Sequence, residues 1–530
     1  MARKQLAYYL QNLGHDIPAG LVVFLVALPL CLGVALASGA PLFSGLIAGI
    51  VGGLVVSLLS GSQLSVSGPA AGLTVIVLQG IDHVGGFQPF LVAVVLAGIL
   101  QLLLGYLKAG VIGAYFPSAV IRGMLTAIGL ILIMKQLPHA VGFGADAIVD
   151  ETYSPQTPSS TFFEIGDAFK AISPGATIVS VVSILIMMLW ETPFLKKIRF
   201  LRLVPGPLVA VLWGVLYEIL TLGGKFEIKS QHLVSLPAHK TLGDLYDHIV
   251  MPDFSHLNDP QIYTLAVTIA IIASLETLLS LEAVDKLDPF RRVAPTNQEL
   301  KAQGVGNIVS GLLGGLPITS VIVRSSANVN AGGRTKVASF AHGVFMLLSV
   351  LFLVEWINFI PLAALAAILL VTGYKLAKPS IFLDMFSRGR DQFLPFMITV
   401  VAILATDLLK GISIGMVLGL IFVMRANFKA AISLTRDGSN YLLRLRKDVS
   451  FLNKALLREL FDQIEPDSHV IIDGSRAEFI DKDILGSIIN YLKAAEDSHV
   501  TVHIRNVAGV SGDGHELAMA GAFGPGEANH

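Results

Sequence analysis

An arginine, Arg324, stands in the apolar stretch 314–330, GGLPITSVIVRSSANVN. A charge at the centre of a membrane helix costs about 2.5–3.5 kcal/mol on insertion scales, so the residue calls for compensation. Pro317 cannot continue a helix, and Thr319 or Ser320 can cap a new one beginning about Val321, which puts Arg324 near its first turn. A cation there opposes the helix dipole, so a negative group is expected beside it. A matching break lies in residues 62–72, SQLSVSGPAAG, where Pro69 suits a first helical position. Two helix N-termini with free N–H groups and one guanidinium define a cavity for an anion. Its expected walls are Ser65, Ser67, Gly68, Pro69 and Ala70 on one side and Ser320, Val321, Ile322 and Arg324 on the other. The structural alternative is an arginine that snorkels to the interface or pairs with a fixed internal carboxylate.

Glu276 is the second costly residue, embedded in VTIAIIASLETLLSLEAV with Ser280 one helical turn later on the same face. With hydroxyl help from Ser280 and Ser320, an intramembrane carboxylate can bind a hard cation such as Na⁺, carry a proton, or pair with Arg324. Glu282 and Asp285 lie nearer a polar end and read as solvated, and His15 and Asp16 read as interfacial. The run GVGNIVSGLLGG lacks a phosphate-loop lysine and reads as a helix-packing face. No nucleophile–base or metal-ligand spacing stands out, so an enzyme is not expected, nor any cofactor besides Na⁺ as a co-transported ion.

These residues need a membrane scaffold to position them. Of 530 residues 54% are hydrophobic and 14% charged, and the mean hydropathy is +0.71, which defines an integral membrane protein. A net charge of -1 argues against a nucleic-acid partner, and the single cysteine, Cys31, excludes a disulfide framework. The charged N-terminal segment precedes no cleavage site, so the first span is expected to serve as its own insertion signal. Spans are expected near 18–38, 42–60, 67–80, 88–107, 117–136, 175–190 and 204–222, then 262–281, 303–316, 320–330, 335–356, 360–376, 393–408 and 411–425. The third of each set is too short to cross alone, the signature of an inverted repeat (about 15–222 and 260–426) with two broken helices meeting at the midplane.

Lys196, Lys197, Arg199 and Arg202, the loops DKLDPFRR and GGRTK, and KLAKPSIFLDMFSRGR fall on one side of this count. Asp146, Asp150, Glu151, Glu164 and Asp167 fall on the other, which places both termini in the cytoplasm of an inner-membrane protein. Beyond the transport domain, 1–426, the pattern changes to strands (NYLLRLRKDVSFLN, HVIIDGS, VTVHIRNV) and amphipathic helices (KALLRELFDQI, DKDILGSIINYLKAAED). A small α/β domain over 438–510 and a Gly-rich, flexible tail over 511–530 follow from this.

The same stretches resemble the SulP anion transporters, the microbial relatives of the solute carrier 26 group, over nearly the whole chain. HDIPAGLVVFLVALPLCLGVALASGAPLFSGL is similar to their opening signature, SVSGPAAGLTV to their third helix, and NQELKAQGVGNIVSGLLGGLPITSVIVRSSANVNAGGRT to their most characteristic segment. The resemblance implies fourteen spans in two inverted repeats, a core domain of spans 1–4 and 8–11, and a gate domain of the others. It further implies elevator-like movement, a C-terminal sulfate transporter and anti-sigma-factor antagonist (STAS) domain, a homodimer, and an anion site between helices 3 and 10. In the helix-10 pattern Pro317, Thr319, Arg324 and Ser325 match, Ser320 replaces a glycine, and Val321 and Val323 replace serines. In the bicarbonate branch the positions of Glu276 and Ser280 bind sodium, though the family aspartate is here a glutamate. The STAS resemblance is partial: FIDKDILGSI carries Lys482 and Asp483 where phosphorylatable serines stand, so a short dimerisation module without phosphorylation there is expected.

One arginine facing one carboxylate is close to charge balance before a substrate arrives. That leans to bicarbonate entering with Na⁺. Sulfate or another oxyanion with H⁺ is the alternative, and a passive anion channel is another. A nucleobase permease is disfavoured by Arg324 and the STAS-like end.

Overall fold

The computed structural model describes residues 2–111, 117–142, 173–192, 195, 204–224, 226–237, 249–406, 408–446 and 448–507. The acidic segment holding Asp146 to Asp167, the basic run Lys196–Arg202 and the Gly-rich tail therefore lie outside the described residues. By chain contacts the molecule divides into a large unit, Met1–Ser387 with Phe396–Gly415, and a smaller one, Arg388–Pro395 with Met416–His530.

The large unit is helical. In order come α1 Ala2–Ala37, α2 Leu42–Leu59, α3 Thr74–His83, α4 Phe87–Tyr106, α5 Ser118–Ala140, α6 Pro174–Trp190 and α7 Gly206–Thr221. After a long connection come α8 Pro260–Leu287, α9 Thr296–Leu312, α10 Ile322–Asn330, α11 Val337–Phe352 and α12 Leu362–Leu376. α13 Pro379–Ser387 follows, and α14 Arg390–Ala405 and α15 Leu408–Ala431, each divided between the two units, complete the helical series before the α/β part. Six helices among the described residues are long and apolar enough to cross a membrane: α1, α2, α4, α5, α8 and the continuous stretch Leu362–Ser387.

Lipid gives helices little hydrophobic reason to associate, so close packing must come from small residues. Gly98 of α4 and Gly304 of α9 meet backbone to backbone, a Cβ on Gly304 lying only 2.7 Å from the Gly98 carbonyl. This is the packing role read for GVGNIVSGLLGG. Gly20 of α1 abuts Ala338 and His342 of α11, and Gly129 of α5 abuts Gly373 of α12. α2 carries a π-turn at Gly52–Val56, where Gly53 meets the bare Cα of Gly343.

Two expectations about the broken helices are corrected. Pro69 is not a first helical residue: Ser67–Pro69 form a short strand, β1, followed by a 3-10 turn at Ala71–Leu73 before α3 begins. Thr319 and Ser320 are not caps: Ile318–Ser320 form β2, and the N-cap of α10 is Val321, without a side-chain cap. The physical reason is that β1 and β2 pair antiparallel, Ser67 with Ser320, Gly68 with Thr319 and Pro69 with Ile318, so these residues are drawn into strand pairing and the helix starts lie beyond them. Asp16, read as interfacial, faces the protein interior. It is fully buried and accepts from Arg334 N, Thr335 N and Thr335 Oγ1 at 2.7, 3.0 and 2.5 Å.

The smaller unit holds a four-stranded sheet in the order β3 (Ile432–Asp437), β4 (Asn440–Leu445), β5 (His469–Asp473), β6 (Thr501–Arg505). β3 and β4 are an antiparallel hairpin turned at Gly438, whose φ of +60° suits glycine, and β4, β5 and β6 run parallel. Helices α16 Lys454–Phe461 and α17 Lys482–Asp497 cover a core of Leu443, Leu445, Val470, Ile472, Ile484 and Ile488.

Candidate functional site

Strands β1 and β2 bring together the N-terminal ends that lead into α3 and α10. The link is reinforced by side chains: Ser65 Oγ lies 2.6 Å from Ser320 Oγ, Val66 N donates to Ser325 Oγ at 2.9 Å, and Val321 N donates to Val66 O at 2.9 Å. As in any helix start, the N–H groups of Ile322, Val323 and Arg324 have no intrahelical acceptor. The turn before α10 thus combines backbone donors with a cation.

Arg324 is 1% exposed, among the largest fully buried side chains. Its Nη2 donates to Pro69 O at 3.1 Å, while Nε and Nη1 have no partner. The guanidinium lies directly against Gly68, where a Cβ would overlap Nη1. Cys31 of α1 and His342 of α11 lie within electrostatic range of it, and both ring nitrogens of His342 are buried without a partner.

Glu276 of α8 packs against the turn before α3: a Cβ on Gly72 would lie 2.6 Å from its Oε1. Its Oε2 is buried without a partner. No ion pair joins Glu276 to Arg324, so the two costly charges do not neutralise each other by direct contact. Ser280 is buried one turn along α8, and the neighbouring Thr277 accepts from Ser320 N at 3.2 Å. Glu282 is exposed and ion-paired to Lys286 as expected of a solvated residue, whereas Asp285 is partly buried and accepts from Ala294 N at 3.0 Å.

Of the residues singled out in the sequence, the structure gathers Ser65, Gly68, Pro69, Ser320, Val321 and Arg324 around the ribbon, and Glu276 beside Gly72. Ala70 and Ile322 flank it as the residues next to Pro69 and Val321. The Ser67 hydroxyl accepts from Gln303 Nε2 at 2.7 Å and keeps its own proton to donate. Val323, where the family pattern has a serine, is 50% exposed. Thr277, Gln303, Asn307 and His342 escaped the sequence reading. The four-residue spacing of Glu299, Gln303 and Asn307 was a visible signal, a polar stripe in a segment read as apolar packing.

A polytopic helical fold with two broken helices meeting through a short ribbon defines a membrane transporter class. The chain belongs to the sulfate permease family, whose model matches residues 13–399, a family of membrane anion transporters and not of enzymes. Among its relatives is YvdB of Bacillus subtilis, provisionally named a sulfate transporter, 26% identical over 506 residues covering 92% of this chain and 90% of YvdB. The bicarbonate transporter BicA of Picosynechococcus is 26% identical over 379 residues, 69% of this chain and 62% of BicA. The fold is shared with murine solute carrier 26 family member A9, an anion transporter solved in the inward-facing state, at 18% identity and a TM-score of 0.71 over 93% of this chain and 85% of that one. The protein is thus a multi-pass membrane protein of an anion-transporting family, acting on a small anion in a lipid environment.

Proposed function

We propose that the chain is a secondary-active transporter of bicarbonate coupled to Na⁺, working by elevator-type alternating access. The observation that carries this reading is that Arg324 and Glu276, two charges set inside the membrane domain, leave Nε, Nη1 and Oε2 unpartnered and do not pair with each other. A buried charged group without partners is costly, and an anion on Arg324 together with a cation on Glu276 would satisfy both at once. The anion is held by Arg324 and by backbone N–H groups at the starts of α3 and α10, with Ser65, Ser320 and the backbone of Ser67, Gly68, Pro69, Ala70, Val321 and Ile322 as its walls. Na⁺, as cargo, takes the Glu276 carboxylate with help from the Ser280 and Ser320 hydroxyls. A monoanion entering with Na⁺ keeps the site's charge balanced, which a dianion does not.

Among the described residues, the third helix before the long connection, α3, and the third after it, α10, are both short and preceded by a strand, which supports the reading of two inverted repeats forming core and gate domains. The sheet and helices of residues 432–507 support a short STAS-like domain taking part in a homodimer, with both termini in the cytoplasm of an inner-membrane protein.

Sulfate entering with H⁺ is the second reading, favoured by the longer alignment with YvdB. Purified protein in liposomes, given radiolabelled bicarbonate or radiolabelled sulfate with and without a Na⁺ gradient, separates them. Bicarbonate uptake driven by Na⁺ is expected. Sulfate uptake indifferent to Na⁺ would overturn the assignment, and anion currents independent of any cation gradient would identify a channel instead.

A further inference from the structure

Three polar side chains of α9 are fully buried although none belongs to the site above: Glu299, Gln303 and Asn307, each 0% exposed. Their spacing stacks them on one face of the helix. Buried carboxylates and amides are costly unless hydrogen-bonded, and all three make hydrogen bonds, with the Gln303 Oε1 left without a partner. Asn307 Oδ1 accepts from Ile318 N at 2.6 Å and its Nδ2 donates to Ile318 O at 3.0 Å, the pair of bonds that a neighbouring strand would have supplied to β2. Thr277 does the same for Ser320 N on that edge. Open strand edges are not tolerated in hydrocarbon, and here side chains from two helices close one.

The stripe also reaches β1. Gln303 Nε2 donates both to Ser67 Oγ at 2.7 Å and to Glu299 Oε1 at 3.0 Å, and Glu299 Oε2 accepts from Ser60 Oγ at 2.5 Å. Asn307 Nδ2 is shared with Gln101 of α4, whose Nε2 donates to Ser274 of α8 at 3.2 Å. One helix face therefore touches both strands of the ribbon, and each contact is a hydrogen bond of fixed direction.

We infer that Glu299, Gln303 and Asn307 are positioning residues: a rack on α9 that sets where β1 and β2, and with them the starts of α3 and α10, stand around Arg324. Gln303 locates β1, Asn307 locates β2, and Glu299 orients the Gln303 amide. This rests on the reading that an anion binds Arg324. It adds that anion affinity depends on a helix that does not touch the anion.

The test measures uptake kinetics in proteoliposomes of folded, monodisperse full-length protein. Gln303→Leu and Asn307→Asp each remove donors to the ribbon and are expected to raise KM for the anion about tenfold with a smaller change in maximal rate. Gln303→Glu sets two carboxylates side by side and should do the same. The exchange Glu299→Gln with Gln303→Glu rebuilds the chain, since Gln at 299 accepts from Ser60 and donates to the new carboxylate, which accepts the Ser67 hydroxyl proton. It is expected to return KM to within about threefold of the wild type. An unchanged KM in Gln303→Leu and Asn307→Asp, or no recovery on exchange, overturns the rack. Arg324→Ala run in parallel separates the two readings: if it leaves KM unaltered the site assignment fails, whereas a raised KM there with normal Gln303→Leu sinks the rack alone.

Discussion

The guanidinium of Arg324 lies against the bare Cα of Gly68, in the space where any other residue would begin its side chain. The contact joins β1 to α10 across the whole intervening chain, and it holds Nη2 on the Pro69 carbonyl at 3.1 Å. Glycine is required by this close approach and not by its backbone angles, since Gly68 has no positive φ. Gly68→Ala should displace the guanidinium and weaken the anion by about 1.5–3 kcal/mol, roughly tenfold to a hundredfold in KM. Unaltered uptake kinetics in the alanine variant would show that the guanidinium's placement is not what binds the anion.

Glu276 meets Gly72 in the same manner, with a Cβ there lying 2.6 Å from Oε1. Glu276→Gln removes the charge and keeps the shape, so uptake should lose its dependence on the Na⁺ gradient. Gly72→Ala keeps the charge and moves it, so the concentration of Na⁺ giving half-maximal uptake should rise about tenfold. Measured Na⁺ dependence in liposomes checks both, and a fully coupled Glu276→Gln protein would remove Glu276 from the cation site.

Asp16, inside α1, anchors that helix to the loop before α11 through Arg334 and Thr335. Asp16→Ala leaves two backbone N–H groups, that of Thr335 buried, and a buried hydroxyl without their acceptor, at a cost of about 1–3 kcal/mol. Thermal unfolding in detergent should show a lowered midpoint in the variant. Retained stability would mean that water replaces the carboxylate.

Asp473, at the end of β5, has its carboxyl held below the usual carboxylate range by hydrogen bonds from Ser475, whose N donates to Oδ1 at 3.0 Å, and then by Arg444, which together outweigh its burial. A folded pKa below the unfolded one gives stability that is present above the unfolded value, about pH 4, and is lost as pH falls through the folded value. Calorimetry should therefore show the sheet unfolding at lower temperature below about pH 4, and Asp473→Asn should flatten that dependence. The same acid slope in the asparagine variant would assign it to other carboxylates.

Much of the scaffold was legible because hydropathy is a local, additive property. The segment around Ala93, with Phe90, Leu91 and Val92 buried beside it, reads as membrane helix from composition alone. Pro317 and the SVSGP segment marked the breaks, since proline and glycine limit backbone conformation wherever they occur. The ribbon was not legible. Three-residue strands carry no periodicity, and Ser67 facing Ser320 depends on two distant segments meeting. For the same reason Thr319 and Ser320 read as caps, the locally available role, until strand pairing claimed them.

Residue types and their order determined by themselves that this protein lives in a membrane, that its chain breaks at two places, and that Arg324 and Glu276 needed compensation there, because transfer cost belongs to each side chain irrespective of its neighbours. Tertiary structure decided where that compensation is sought. Packing of α2, α8 and α9 around the ribbon leaves the arginine and the glutamate unpaired with each other and turns the Ser67 hydroxyl to Gln303, while the loop before α11 buries Asp16 among donors. Hydrogen bonds act over about 3 Å, so which groups share one is settled only when separate helices are set side by side.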